Sequence, residues 1–229
     1  MSSKPRNFQS DCYYHIYNRG VGKQDIFNTL FDYQRFLNTI EFYLHDQSIG
    51  YAHYESLSQS AKQAYDLRHP RGVQALRVGF IAYCLMPNHY HIVLKTLNIG
   101  GITRFMSDIS NSYTRYFNTR YGRNGYLLES KYQSKEIKND ESMFQVVRYV
   151  SLNPIISTKT NKNGQLTNPA NYPFSSYKAW IGLGDDNITQ PELVEKVLTT
   201  FGGLAKFKSF VESKMEMYDI GDLAIEESP

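Results

Sequence analysis

Between residues 75 and 96 the chain carries two runs rich in β-branched and aromatic side chains, parted only by Met86-Pro87-Asn88. Proline has no backbone N–H and a fixed φ, so the turn falls there, and the pattern predicts a hairpin of strands over 75–85 and 89–96. Residues 12–18 (CYYHIYN), closed by Arg19-Gly20, predict an earlier strand and turn. Apolar residues at 33, 36, 37, 40, 43 and 44 give helical spacing over 32–46, and the polar stretch 47–72 predicts a loop with some helix. Gly100-Gly101 opens a helix that runs to about residue 121 and is stopped by Gly122 and Gly125. A strand is expected over 127–137. Asn139-Asp140 then offers an N-cap for a helix over 141–152, ended by Pro154, and 155–171 reads as loop. The order β–α–β–β–α–β–α predicts an α+β sandwich around a central antiparallel sheet.

The 229 residues are 41% hydrophobic and 21% charged, a mix that excludes disordered and collagen-like chains. Two cysteines, Cys12 and Cys84, are too few and too far apart for a disulfide scaffold or a cysteine metal site, so a reducing cytoplasm is expected. No apolar run approaches the roughly 18–20 residues of a membrane helix, and the start, MSSKPRNFQSD, lacks a signal-peptide core. The net charge of +3 conceals an asymmetry. Residues 185–229 hold ten acids and four lysines, whereas 1–184 hold 21 bases and 12 acids. The expected organisation is therefore a main domain over 1–184 and an acidic, helical extension over 185–229.

Within the main domain, 103–138 carries seven bases among three acids, interleaved with Phe105, Tyr113, Tyr116, Phe117, Tyr121, Tyr126 and Tyr132. Cations that neutralise phosphates, beside rings on which bases stack, suit single-stranded nucleic acid. Arg115, Arg120, Arg123, Lys131 and Lys135 are the candidate phosphate contacts. A solvated helix face with its aromatics turned to the core would give the same pattern.

Two short features could carry chemistry. His89 and His91 lie two apart on a predicted strand, so both imidazoles face one side and Tyr90 the other. Such a pair is half of a divalent-cation site, although strand histidines also serve simply as core. Tyr149 and Asn153 lie four apart before Pro154, with Gln145 one turn earlier, so the three share a helix face. That face could present a phenolic nucleophile beside an amide ligand, or pack Tyr149 into the core while Asn153 caps the helix. His15, His45, His53 and His69 read as structural.

Six segments occur in a fixed order: YHIYNRGVGKQDIF (14–27), AYCLMPNHYHIVL (82–94), SYTRYFNTRYGRNGYL (112–127), KYQSKEI (131–137), RYVSLNP (148–154) and YPFSSYKAW (172–180). Together they resemble the single-tyrosine HUH transposases of small bacterial insertion sequences, most of all the REP-associated branch. The resemblance implies a ferredoxin-like HUH domain whose antiparallel sheet carries the histidine pair. It makes His89 and His91 ligands of Mg²⁺ or Mn²⁺, Tyr149 the nucleophile, and Asn153 the third ligand, at a position where relatives often have Gln. It further implies a transposase that nicks and rejoins single-stranded DNA beside hairpins through a 5′-phosphotyrosine. Relatives occur as monomers and as homodimers. Two other functions fit the same residues: a metal phosphodiesterase with no covalent intermediate, and a hairpin-binding protein that has lost catalysis. Tyr113 and Tyr116 compete for the nucleophile's role, but their spacing with Phe117 and Tyr121 fits packing or base stacking.

Overall fold

The chain reverses at Pro87-Asn88, where β2 (Val78–Met86) turns into β3 (His89–Thr96) with Met86 opposite His89. The computed structural model describes residues 7–69, 76–158 and 168–213. β1 (Tyr13–Arg19) pairs antiparallel with β3 on one side and with β4 (Gln133–Ile137) on the other, giving one sheet in the order β2-β3-β1-β4.

Alternation along the two central strands sorts the side chains into two cores. Tyr14, Ile16, Tyr90, Ile92 and Leu94 face a layer formed by α1 (Leu30–Tyr43), α2 (Tyr51–Ser56), α3 (Gln59–Arg68) and α4 (Gly101–Arg120). α4 buries Ile102, Phe105, Met106, Ile109, Tyr113 and Phe117, the three-and-four spacing of one helix face. Its start lies so close to β2 that a Cβ on Gly101 would strike the Arg77 carbonyl. His89, His91 and Val93 face the other way, with His15 and Tyr17 beside them by register: Tyr17 opposes His91 and His15 opposes Val93.

This second face is covered by α5 (Asp140–Thr158), itself covered by α7 (Pro191–Phe201) and α8 (Leu204–Glu212). Phe144 meets Phe201 edge-on at 4.7 Å, and the Arg148 guanidinium lies 4.4 Å over the Phe210 ring. The stretch expected as an acidic appendage thus contains two helices that bury the back of α5; residues 214–229 lie outside the described residues. The free edge of β2 is occupied by 174–190. Leu85 donates to the Phe174 carbonyl, Ser176 to Tyr83, and the indole N–H of Trp180, on α6 (Tyr177–Trp180), to Ile81. An edge closed in this way offers no ladder to another chain.

Two boundaries differ from expectation. The strand expected from 127 begins at Gln133. In place of a strand, 127–130 meets the end of β1 through a single bridge between Gly20 and Leu128, the Asn18 side chain donating to the Ser130 carbonyl, and the Arg19–Glu129 ion pair. α5 runs through Pro154 to Thr158 instead of stopping at Leu152. Proline costs the helix one backbone bond, and the burial of Leu152, Asn153 and Ile155 on both sides holds the turn together.

Asp32 ties α1 to α4. Its carboxylate is fully buried and accepts from the backbone N–H of Asn28 (3.0 Å) and Thr29 (2.8 Å) and from the hydroxyls of Tyr116 (2.9 Å) and Tyr121 (2.7 Å). Burial pushes its pKa up, but the hydrogen bonds from Tyr121, Tyr116 and Thr29 outweigh that and hold it below the usual value. Replacing Asp32 by Ala leaves these donors without an acceptor. Chemical denaturation should show a loss of about 3 kcal/mol, and an unchanged midpoint would contradict this role.

Candidate functional site

α5 and β3 bring together residues some sixty positions apart. The rings of His91 and Tyr149 meet edge-on with centroids 5.1 Å apart, and His89 Nε2 lies 3.1 Å from the Asn153 amide oxygen. His89 and His91 sit 5.1 Å apart at 81°, both on the face that the strand spacing predicted, while Tyr90 is buried against Phe36 on the other. The four residues that the resemblance singled out therefore form one cluster. Gln145 lies a turn earlier on α5, half-buried.

Each ring nitrogen of the pair faces a defined neighbour or none. His89 Nδ1 lies 2.7 Å from the Asn88 side-chain oxygen, and that amide is oriented by donating to the Lys23 carbonyl. A neutral imidazole has one N–H, yet His89 faces an amide oxygen at each nitrogen. A cation held between His89 Nε2 and Asn153 would meet this demand and leave Nδ1–H to Asn88; a ring protonated at both nitrogens would meet it too. His91 repeats the pattern: Nδ1 is engaged, 3.0 Å from His15 Nε2, while Nε2 is buried with no hydrogen-bond partner. Two imidazoles anchored at Nδ1 with Nε2 turned inward, and an amide oxygen beside one of them, form a donor set that fits a divalent cation. Among the described residues, no group of three or more His, Cys, Asp or Glu side chains is gathered to hold a metal. The group beside the two imidazoles is an amide, that of Asn153.

His15, which the sequence reading set aside as structural, is part of this cluster, with its ring 6.1 Å from that of Tyr149. Only the pairing of β1 with β3 reveals this, because 76 residues separate it from His91.

The five candidate cations divide. Arg115 and Lys131 line a groove of about 1090 Å³ between α4 and the 126–132 loop, together with Ser107, Asn111, Thr114 and Tyr126. Tyr126 is 88% exposed. Lys135 lies on β4 opposite His15, exposed on the α5 side of the sheet. Arg120 is spread over the Phe31 and Tyr121 rings, 3.7 Å from Asp32, and Arg123 lies over Phe117. Tyr113, Tyr116, Phe117 and Tyr121 are packed or hydrogen-bonded within the α1–α4 layer, so Tyr126 is the aromatic of this region turned to solvent.

Burial holds the His15 ring far below the ordinary histidine range, at about 3, with Lys135 adding to the effect. Burial, then repulsion by the neighbouring His89 and His15 rings, holds His91 well below it too. Both rings are neutral in the folded chain and take up a proton on unfolding. Below the unfolded pKa near 6.5 the unfolded state therefore binds more protons, and stability falls as pH drops from there towards 3. With chelator present, denaturation at stepped pH should show a decline of up to about 1.4 kcal/mol per pH unit for each ring. Stability that stays flat between pH 7 and 5 would contradict the buried neutral pair.

The model of the family described as IS200-like transposases matches residues 61–153, a span that contains His89, His91, Tyr149 and Asn153. No curated protein sequence matches the chain. Among solved structures, a REP-associated tyrosine transposase bound to a REP hairpin superposes with a TM-score of 0.50 at 14% identity, over 83% of this chain and 94% of that one. The tRNA(His) guanylyltransferase of Saccharomyces cerevisiae aligns over 91% of this chain and 79% of its own, at 13% identity, but with a TM-score of only 0.33. Among the described residues no helix is long and apolar enough to cross a membrane. Over residues 61–153, which hold the segments 82–94, 112–127, 131–137 and 148–154, the chain matches the IS200-like transposases, and it shares the α+β fold of the REP-associated tyrosine transposase.

Proposed function

We propose that the chain is a transposase that cuts and rejoins single-stranded DNA beside a hairpin, using Tyr149 as a covalent nucleophile. The observation that carries this reading is the meeting of Tyr149 and Asn153 on α5 with His89 and His91 on β3. Mg²⁺ or Mn²⁺ bound by His89, His91 and Asn153 would supply Lewis-acid polarisation of a non-bridging phosphate oxygen. The remaining chemistry belongs to the chain. The Tyr149 oxygen attacks phosphorus as the bond to the 3′ oxygen breaks, and the leaving strand departs with a 3′-hydroxyl. The 5′-phosphotyrosine retains the energy of the cut linkage, so a second 3′-hydroxyl can displace Tyr149 and restore a phosphodiester without ATP. Tyr149 is only 2% exposed, so its hydroxyl meets a phosphate only after the elements around it part.

Charge gives the strand a path. Lys131 in the groove on the α4 side and Lys135 on the α5 side are four residues apart, so the basic surface passes round the β4 edge from the groove towards the cluster. Arg115 and Lys131 would neutralise phosphates, and Tyr126 would offer a stacking ring.

Incubation with labelled single-stranded hairpin DNA from the gene's own flanks, with Mn²⁺, should give a DNA-shifted protein band on a denaturing gel. Tyr149→Phe and His89→Ala should each reduce that band to background. Cleavage that persists in Tyr149→Phe with no attached DNA would replace this reading by hydrolysis, and binding without cleavage would replace it by a recognition role alone. A separate prediction concerns the groove. Tyr126→Ala should weaken single-strand binding by about 1–3 kcal/mol. Arg115→Ala and Lys131→Ala should each flatten the dependence of log affinity on log salt by roughly 0.7–0.9. Unchanged salt slopes would remove the groove from the DNA path.

A further inference from the structure

We infer that His15 is a positioning residue for the metal site, accepting the Nδ1 proton of His91 so that His91 Nε2 is held bare and aimed as a ligand. The inference deepens the reading above and rests on the cation site proposed there.

The geometry narrows what the pair can do. A contact of 3.0 Å between two imidazole nitrogens holds a single proton, with one ring donating and the other accepting. His91 has two nitrogens, and the second, Nε2, is buried without a hydrogen-bond partner. A cation on Nε2 excludes a proton there, so the N–H of the neutral ring must lie at Nδ1. The atom that faces Nδ1 is His15 Nε2, which must then be the acceptor, with the proton of His15 at its own Nδ1, a nitrogen that is itself buried with no hydrogen-bond partner, so the bound cation and not a partner of His15 sets the direction. His89 shows the same logic with a different partner, since its Nδ1 faces the Asn88 oxygen, which can only accept. His89 and His91 would then each have one dedicated acceptor that sets tautomer and ring angle, the arrangement that orients ligating imidazoles generally. His15 also has little freedom to turn away. It is 1% exposed and bounded by the rings of Tyr17 at 5.4 Å and Tyr149 at 6.1 Å.

The test separates the acceptor from the ring that carries it. His15→Phe keeps a ring between Tyr17 and Tyr149 but cannot accept, whereas His15→Gln carries a carbonyl oxygen that can. Calorimetric titration with Mn²⁺ should give an affinity lower by about 10- to 100-fold in His15→Phe, with most of the loss recovered in His15→Gln. In the Mg²⁺-loaded wild-type chain, ¹⁵N shifts should show His91 protonated at Nδ1, a readout that needs no variant and survives misfolding of either. Equal Mn²⁺ affinity in wild type and His15→Phe, or a proton at His91 Nε2 in the loaded chain, would overturn the inference. Failure of the wild-type chain to bind Mn²⁺ or Mg²⁺ at all would instead overturn the cation site beneath it, and with it this role.

Discussion

The packing of α5 across the β1–β3 face is the contact on which the rest of the molecule turns. Two turns of one helix set Tyr149 against the His91 ring and Asn153 against His89, while the neighbouring Arg148 lies on the other side of the helix over Phe210. A helix carrying a tyrosine and an amide among two-faced apolar surroundings would be free to rotate if only one side were covered. With the sheet on one side and α7 and α8 on the other, rotation would expose Val147, Val150 or Phe207, all fully buried here. The apolar contacts of the C-terminal helices therefore bear on the site although no residue of theirs belongs to it.

Much of this was legible along the chain because it depends on local periodicity. The hairpin about Pro87, the shared face of His89 and His91, and the shared face of Tyr149 and Asn153 all follow from repeats of two or of about four residues. What could not be read locally was adjacency between distant segments. His15 gives no local sign of its role, since its partner comes from a strand 76 positions away and is reached only through the β1–β3 register. Likewise Tyr116 and Tyr121 looked as available for bases as Tyr126 until Asp32, on another helix, claimed their hydroxyls. Pro154 signals a stop because an isolated helix would end there, but burial on both flanks carries the turn past it.

The two faces of the sheet divide the work. On one, a dense aromatic layer held together by the buried Asp32 carboxylate fixes α4 and hence the wall of the groove that Arg115 lines. On the other, polar rings sit among Val93, Val147 and Val150, where unpaired nitrogens are costly and each hydrogen bond sets a tautomer. The short β4 strand, with Gln133 and Lys135 exposed, is where these two environments meet.

In the proposed reaction one tyrosine among the nineteen in the chain becomes linked to DNA. Proteolysis of the protein–DNA adduct, nuclease trimming and fragmentation by tandem mass spectrometry would read out which residue carries the phosphate. A nucleotide remnant is expected on the Tyr149 oxygen, within the peptide that contains RYVSLNP. A remnant on Tyr113, Tyr126 or any other tyrosine would contradict it.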